Sequence, residues 1–414
     1  MGCYRRKADR CARTKKGMTL KILLHSYAWA PSVGGVEVIT RTLASGLSAW
    51  SKSHSGETVD VTLVTQTPAG GMNDGELPFR AVRRPSKIDL IGLIRSADLV
   101  HLANPAFVPL FLAWLLGKRV VIEHSGYQSA CPNGLLLFER DGTVCPGYFL
   151  AKRYGKCIQC NSEGEGWLKS FWVLLLTFPR RWLAARAAAN IVPTNHVRRR
   201  IALPHTVLIP HGVPNYSQAE GSNHSFTGQQ NCPYFAYIGR LVREKGVDVL
   251  LRACQVLAAR GCAFRLKIIG DGAERPKLEK TVIDLNLTSR VQFLGSVPVE
   301  NTSGLLDGAV AIIMPSIWEE VAGIVACENF LRGHLVIASD IGGLGEIVEG
   351  LGFKFPAGDA DALATCMRRA VENPDLVRDL RSKAQQYAAE HFNAERMVAN
   401  HLDVYREIVE RKAP

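Results

Sequence analysis

The sequence lacks any run of about 18 uninterrupted apolar residues, the minimum for a membrane-crossing helix. Val108–Leu116 and Phe171–Phe178 come nearest and are too short. It also lacks the apolar core of a secretory signal after its basic first residues. Cysteine is dilute, 11 in 414 residues, which excludes a small disulfide scaffold. With no export signal, the thiols are expected to be reduced or metal-bound and the chain cytoplasmic. No Gly-x-x-x-x-Gly-Lys-Ser/Thr phosphate loop occurs. Gly270-Asp271-Gly272 begins a dinucleotide fingerprint, but Arg275 occupies the third glycine's place, so the fingerprint fails.

Apolar residues make up 47% of the chain, which excludes a disordered protein. The length predicts two or three domains. Net charge is +12, and half of it lies in residues 1–17, where seven Lys and Arg stand against Asp9 alone. This tail reads as a disordered extension, or as sequence before a true start at Met18. The alternative is a basic arm for anionic lipid or nucleic acid. Met1-Gly2 suggests myristoylation, but Arg6 stands where Ser or Thr is needed.

Short β-branched runs alternate with amphipathic helices. Strands are predicted at Leu20–Leu24, Val59–Thr65, Leu99–Leu102, Val120–Glu123, Ile191–Pro193 and Val207–Pro210. A second series comprises Phe235–Ile238, Phe264–Ile269, Val291–Leu294, Ala311–Met314 and Val336–Ser339. Near-continuous apolar strands joined by helices mean parallel sheets covered on both faces. The Ser- and Asn-rich residues 215–232 read as a linker between an α/β domain at 18–214 and another at 233–394. Residues 395–414 are expected to form a last helix that crosses back to the first domain.

Four strand-to-helix turns carry candidate chemistry. Gly34-Gly35 follow the first strand and let a ligand approach backbone and helix N-terminus. Gly239-Arg240 and Lys245-Gly246 place two cations at a strand's carboxyl end, suited to a diphosphate. Gly270-Asp271-Gly272 forms a third turn. Pro315-Ser316 then opens a carboxylate loop with Glu320, and Glu328 follows on an otherwise apolar helix. A carboxylate there needs a partner, and ligand hydroxyls would serve. Asp359-Ala360-Asp361 fits an Asp-x-Asp metal site in letters. It opens a predicted helix, though, where Asp is an ordinary cap, so no metal is assigned to it.

As a set these residues resemble the family 4 retaining glycosyltransferases of the GT-B fold. The matching elements include Gly239-Arg240…Lys245-Gly246, Gly270-Asp271-Gly272, Phe293-Leu294-Gly295, Glu320…Glu328 and Ser339–Gly343 with Glu346. Gly34–Glu37 and Glu123-His124-Ser125 match in the first half. The resemblance implies two doubly wound Rossmann-like domains facing a cleft. It implies transfer of a sugar from a nucleotide diphosphate sugar to a hydroxyl acceptor, with retention and without a catalytic metal. Arg240 and Lys245 would hold the diphosphate and Glu328 the ribose. Glu320 and His124 would stand by the donor sugar. Gly34, Gly35, Gly239, Gly270, Gly272, Ala322, Gly323 and Ile324 would line the donor. Val321-Ala322 replace the family's frequent Pro-Phe or Gly-Phe, and Asn329 its usual Ala, which bears on donor-sugar identity. A lipid-linked or polysaccharide glycan acceptor follows only from the family.

Cys131, Cys145, Cys157 and Cys160 lie in a Gly- and Pro-rich stretch at about 128–165. Their spacing admits a structural zinc site, with four unrelated thiols or an iron–sulfur cluster as alternatives. A similar Cys-rich insertion is seen in a subset of the family. Trp167–Ala189 combines Trp, Leu and Phe with Arg180, Arg181 and Arg186. It suits either an interfacial helix on the inner membrane face or a helix packed on the sheet. The rival functions are a GT-B epimerase or phosphorylase and, more remotely, a basic nucleic-acid-binding protein. The latter is disfavoured because aromatics are not interleaved with the basic residues.

Overall fold

A computed structural model describes residues 18–30, 34–53, 57–138, 140–214 and 232–411. The basic tail and nearly all of the expected linker lie outside them. By contact the chain divides into two compact units, Met1–Ile122 with Val398–Pro414, and Glu123–Met397.

The first unit holds β1 (Met18–Ser26), α1 (Gly35–Ser53), β2 (Glu57–Thr65) and β3 (Arg80–Arg83). It continues through α2 (Lys87–Ser96), β4 (Leu99–Leu102), α3 (Phe107–Leu115) and β5 (Arg119–Glu123). The strands run parallel in the order β3-β2-β1-β4-β5. Leu20, Ile22, Leu23 and Leu24 are all buried, as expected of a strand covered on both faces. The edge strand β3 was not predicted, because its Arg-Ala-Val-Arg sequence carries no apolar run.

The second unit opens with the hairpin β6 (Leu137–Phe138) and β7 (Thr143–Val144), then α4 (Tyr154–Glu165) and α5 (Trp167–Ala184). Next come β8 (Ala189–Val192), α6 (Asn195–Ile201) and β9 (Thr206–Leu208). The following elements alternate: β10 (Tyr234–Ile238), α7 (Val247–Ala259), β11 (Arg265–Ile269), α8 (Arg275–Asp284), β12 (Val291–Gly295) and α9 (Val299–Leu306). After them stand β13 (Ile312–Met314), α10 (Ile324–Leu331), β14 (Val336–Ser339), α11 (Gly342–Val348) and β15 (Phe353–Phe355). Three helices close the chain: α12 (Ala360–Glu372), α13 (Pro374–His391) and α14 (Ala394–Glu410).

Strands β10–β15 form a parallel sheet in the order β12-β11-β10-β13-β14-β15. The strand order reverses between β10 and β13. That is the switch point at which an open α/β sheet leaves a crevice beyond its strand ends. α7 shows how sequence builds the layer. Val247, Leu250, Leu251, Cys254 and Leu257 recur at helical spacing and are buried, while Arg252 pairs outward with Asp248 at 2.9 Å.

In the first unit, Val398, Leu402, Tyr405 and Ile408 of α14 are buried, and the Tyr405 hydroxyl bonds His101 Nδ1 at 2.8 Å. Tyr405→Phe is expected to destabilise by about 1–3 kcal/mol, because it strips a buried group of its partner. Tyr405→Ala should cost about 3–5 kcal/mol through the cavity left behind. Urea unfolding measures both, and near-equal losses would show that the hydroxyl carries the whole effect.

Candidate functional site

The loops after β10, β11 and β13 meet at the switch point. Backbone bonds join them: Leu241 N–H donates to Asp271 O at 2.9 Å, and Ile317 N–H to Glu244 O at 3.0 Å. Gly270 has φ +132°, and a Cβ there would lie 1.9 Å from Gly239 O. Only glycine lets the two turns close so tightly. Gly272 continues the same turn beside Leu241.

This contact assembles a charged cluster. Lys245 Nζ lies 2.8 Å from Glu320 Oε1, and the Ser316 hydroxyl donates to the same oxygen. Lys245 Nζ also lies 5.8 Å from the Trp318 ring centroid. The Glu320 side chain is only 7% exposed, so its charge needs the lysine. The Arg240 side chain is 64% exposed and 3.8 Å from Glu244, which leaves its guanidinium open to a ligand. The pair predicted to hold a diphosphate is therefore split in role: one cation is held on a carboxylate and the other faces solvent.

A second acid, Glu319, extends the cluster. It takes Arg200 Nε at 2.7 Å and His196 Nε2 at 3.5 Å. Burial alone would raise its pKa, but His196 and Arg200 together hold it below the ordinary carboxylate range. Tyr127 is fully buried, and its hydroxyl has no hydrogen-bond partner among the described residues. Burial, then the negative charge of Glu319, pushes its ionisation up, so it stays a neutral donor. Sequence reasoning missed Tyr127, His196 and Arg200. Arg200 sits in an Arg198-Arg199-Arg200 run that reads as a solvated helix end.

The carboxylate loop is clamped from α11. Gly343 N–H donates to Glu320 O at 2.6 Å, and a Cβ on Gly343 would lie 2.0 Å from Val321 O. Glu346 accepts from the backbone N–H groups of Asn195 and His196 at 2.9 and 2.8 Å, capping α6. Ala322 and Gly323 lead into α10, which Ile324 opens. The first N–H groups of α10 have no intrahelical carbonyl to bond. Glu328 lies half-buried on α10, about one turn from its start. Asp359 caps α12 by accepting from Ala362 N–H at 2.9 Å, the ordinary helix-start role expected of it.

His124 follows β5 and is fully buried. Its Nε2 lies 2.9 Å from Asn190 Oδ1. The Asn190 amide nitrogen already donates to Ala184 O and Pro204 O, so its oxygen must accept. Nε2 therefore carries the proton, and Nδ1 is left as a buried acceptor with no partner among the described residues. Burial lowers the His124 pKa to about 4. Among the described residues no hydrogen bond joins His124 to Glu320 or Lys245. Gly34 and Gly35 belong to the first unit, where Gly34 O accepts from Val38 N–H as α1 begins.

The four insertion cysteines converge. Cys131, Cys145, Cys157 and Cys160 are all buried and line one cavity of about 10 Å³ with Asn133 and Tyr148. Cys131 Sγ donates to Asn133 Oδ1 at 2.9 Å, and Asn133 Nδ2 lies 3.5 Å from Cys160 Sγ. Burial, with the other three thiols adding, raises Cys157 to about 12. Among the described residues, no group of three or more His, Cys, Asp or Glu side chains is already gathered into a ready metal site.

One pH dependence follows from His124. Its pKa is about 4 in the fold against 6.5 in an open chain. Between these values the unfolded chain binds a proton that the native state refuses, so stability falls as pH drops through that window. His25 in the first unit is shifted the same way. Each histidine should contribute up to about 1.4 kcal/mol per pH unit. His124→Gln should therefore flatten the dependence of the urea midpoint on pH; an unchanged slope would count against the neutral assignment.

Residues 223–390 match the family Glycosyl transferases group 1. The alpha-D-kanosaminyltransferase of Streptomyces kanamyceticus is 28% identical over 183 residues, 44% of this chain and 47% of that protein. The chain thus spans under half the length of the curated relatives it matches first. Among solved structures, sucrose-phosphate synthase from Thermosynechococcus elongatus superposes with a TM-score of 0.71 at 20% identity, over 95% of this chain and all of that one. Anabaena HepE in complex with UDP-glucose gives 0.69 at 17%, over 94% of this chain and all of the other. Residues 223–390 are therefore a glycosyl transferases group 1 domain, in a chain of the GT-B fold.

Proposed function

We propose that this chain moves a sugar from a nucleotide diphosphate sugar to a hydroxyl acceptor, with retention and without a catalytic metal. The observation that carries the reading is that the loops after β10 and β13, which carry Arg240 and Lys245 and lead into α10, join at the sheet's switch point. The two cations and the α10 N-terminus offer positive potential where a leaving diphosphate gains charge. The C1–O bond to the diphosphate breaks and a C1–O bond to the acceptor forms. The acceptor's proton leaves with the nucleoside diphosphate. Glu328 takes the ribose diol. Glu320, set by Lys245, stands by the sugar, and the bare Nδ1 of His124 accepts a sugar hydroxyl. The UDP-glucose complex of HepE supports a nucleotide-sugar donor, and relatives named for amylovoran and colanic acid biosynthesis support a glycan acceptor.

Thermal unfolding against a panel of nucleoside diphosphates, without added metal, tests donor binding. A bound diphosphate at a hundredfold excess over Kd should add about 2.7 kcal/mol. Glu328→Ala should weaken that shift, and Lys245→Ala should lower turnover. Activity unaltered by both changes would refute the site. Nucleoside diphosphate released only with acceptor present separates transfer from epimerisation or phosphorolysis.

We further propose that α5 rests on a membrane surface on the cytoplasmic side. No helix among the described residues is long and apolar enough to cross a membrane. Yet Trp167, Leu168, Phe171, Trp172 and Leu175 of α5 are all exposed. Two of the neighbouring arginines are spent on backbone carbonyls, while Arg186 stays exposed beside Trp182. Arg181 donates to Ser129 O, Ile201 O and Ala202 O, Arg180 donates to Gln128 O, and Arg186 stacks 3.6 Å over Trp182. Attachment should therefore be mainly apolar and survive raised salt. Flotation with anionic liposomes checks this: no shift of the full chain, or complete release by salt, would overturn it.

A further inference from the structure

The cysteine insertion touches the carboxylate loop through two side chains. Cys145 follows β7, and its carbonyl accepts from Arg200 Nη2 at 2.5 Å. The same guanidinium holds Glu319, neighbour of Glu320. Arg243, on the loop after β10, lies against Gly142 of the hairpin turn; a Cβ on Gly142 would stand 2.4 Å from Arg243 Nη2. Whatever orders the hairpin thus orders the partners of the loops that carry Lys245 and Glu320.

What could order it is the thiol cluster. Cys157 and Cys160 lie one turn apart on α4 and so face the same side. Cys131 and Cys145 reach the cavity from separate loops. Four sulfur donors line it, with Tyr148 and two asparagines beside them and no His, Asp or Glu. An all-sulfur set selects zinc or an iron–sulfur centre over hard cations. The cavity between the thiols is small, about 10 Å³, so a single ion asks the least rearrangement of them. Asn133 already points its amide at Cys160 and would remain as an outer hydrogen-bond donor.

We propose that Cys131, Cys145, Cys157 and Cys160 bind a single zinc ion, and that this knot sets the Cys145 carbonyl so that Arg200 braces Glu319. The second clause rests on reading the Glu319–Glu320 loop as the donor site. Zn–S bonds form as each thiol gives up its proton to solvent, so loading releases acid. Cys131 and Cys160 exchange their present hydrogen bonds for the metal.

Elemental analysis of the full chain should find one zinc per chain. Cobalt exchanged into the site should show the absorption of tetrahedral thiolate coordination. The double variant Cys157→Ser with Cys160→Ser should lose both. A folded chain that takes up neither metal would overturn the site, as would iron with inorganic sulfide. For the brace, UDP affinity is compared between zinc-loaded, zinc-stripped and zinc-loaded Arg200→Ala chains. Both changes should weaken UDP binding several-fold, the variant while keeping its zinc. Unchanged affinity in the stripped chain would overturn the brace. A zinc-loaded chain that binds no nucleoside diphosphate would instead undo the donor-site reading, with the zinc site still judged by its cobalt spectrum.

Discussion

The ion pair between Lys245 and Glu320 is the constraint on which the site depends. It spans the one place where the strand order of the sheet reverses, with its cation after β10 and its anion after β13. A buried carboxylate is tolerated only with its charge answered. Here a lysine and a serine hydroxyl answer it together, while the Gly343 N–H holds the Glu320 backbone carbonyl. The same lysine is the natural partner of a phosphate. On the proposed reading, a diphosphate would meet a cation already positioned but also already engaged by Glu320.

Around this pair the scaffold is rigid for local reasons. The Gly239 and Gly270 turns touch backbone to backbone, so no side chain separates the two loops. Glu346 ties α11 to the start of α6, and α11 in turn grips the carboxylate loop. Arg200 and His196 come from α6 to Glu319. Neighbouring acids are thus held by separate sets of partners, so the two need not share one.

What the sequence made legible was the chemistry that is local along the chain. Gly239, Arg240, Lys245, Gly270 and Gly272 sit in turns whose spacing after a strand is visible in the letters. The apolar strands of the sheet interiors were legible for the same reason. Arg200 was not, because its partner Glu319 lies 119 residues away and its own helix end looks like any basic surface. Asn190 and Tyr127 matter through burial, which spacing does not reveal. Arg180 and Arg181 were legible as charges but not in direction: charge beside an apolar run suggests lipid, while unpaired carbonyls at Ser129, Ile201 and Ala202 draw Arg181 inward. The edge strands β3 and β15 were missed because edges do without long apolar runs.

Those edges have a consequence of their own. β15 is three residues long, and its middle residue, Lys354, is held by Asp340 and Glu349. β3 begins and ends in arginine. A short outer strand with a charge at its centre or ends gives another chain little to pair with. Each parallel sheet is thus closed to growth along one of its borders, which leaves pairing with another chain to the opposite edge.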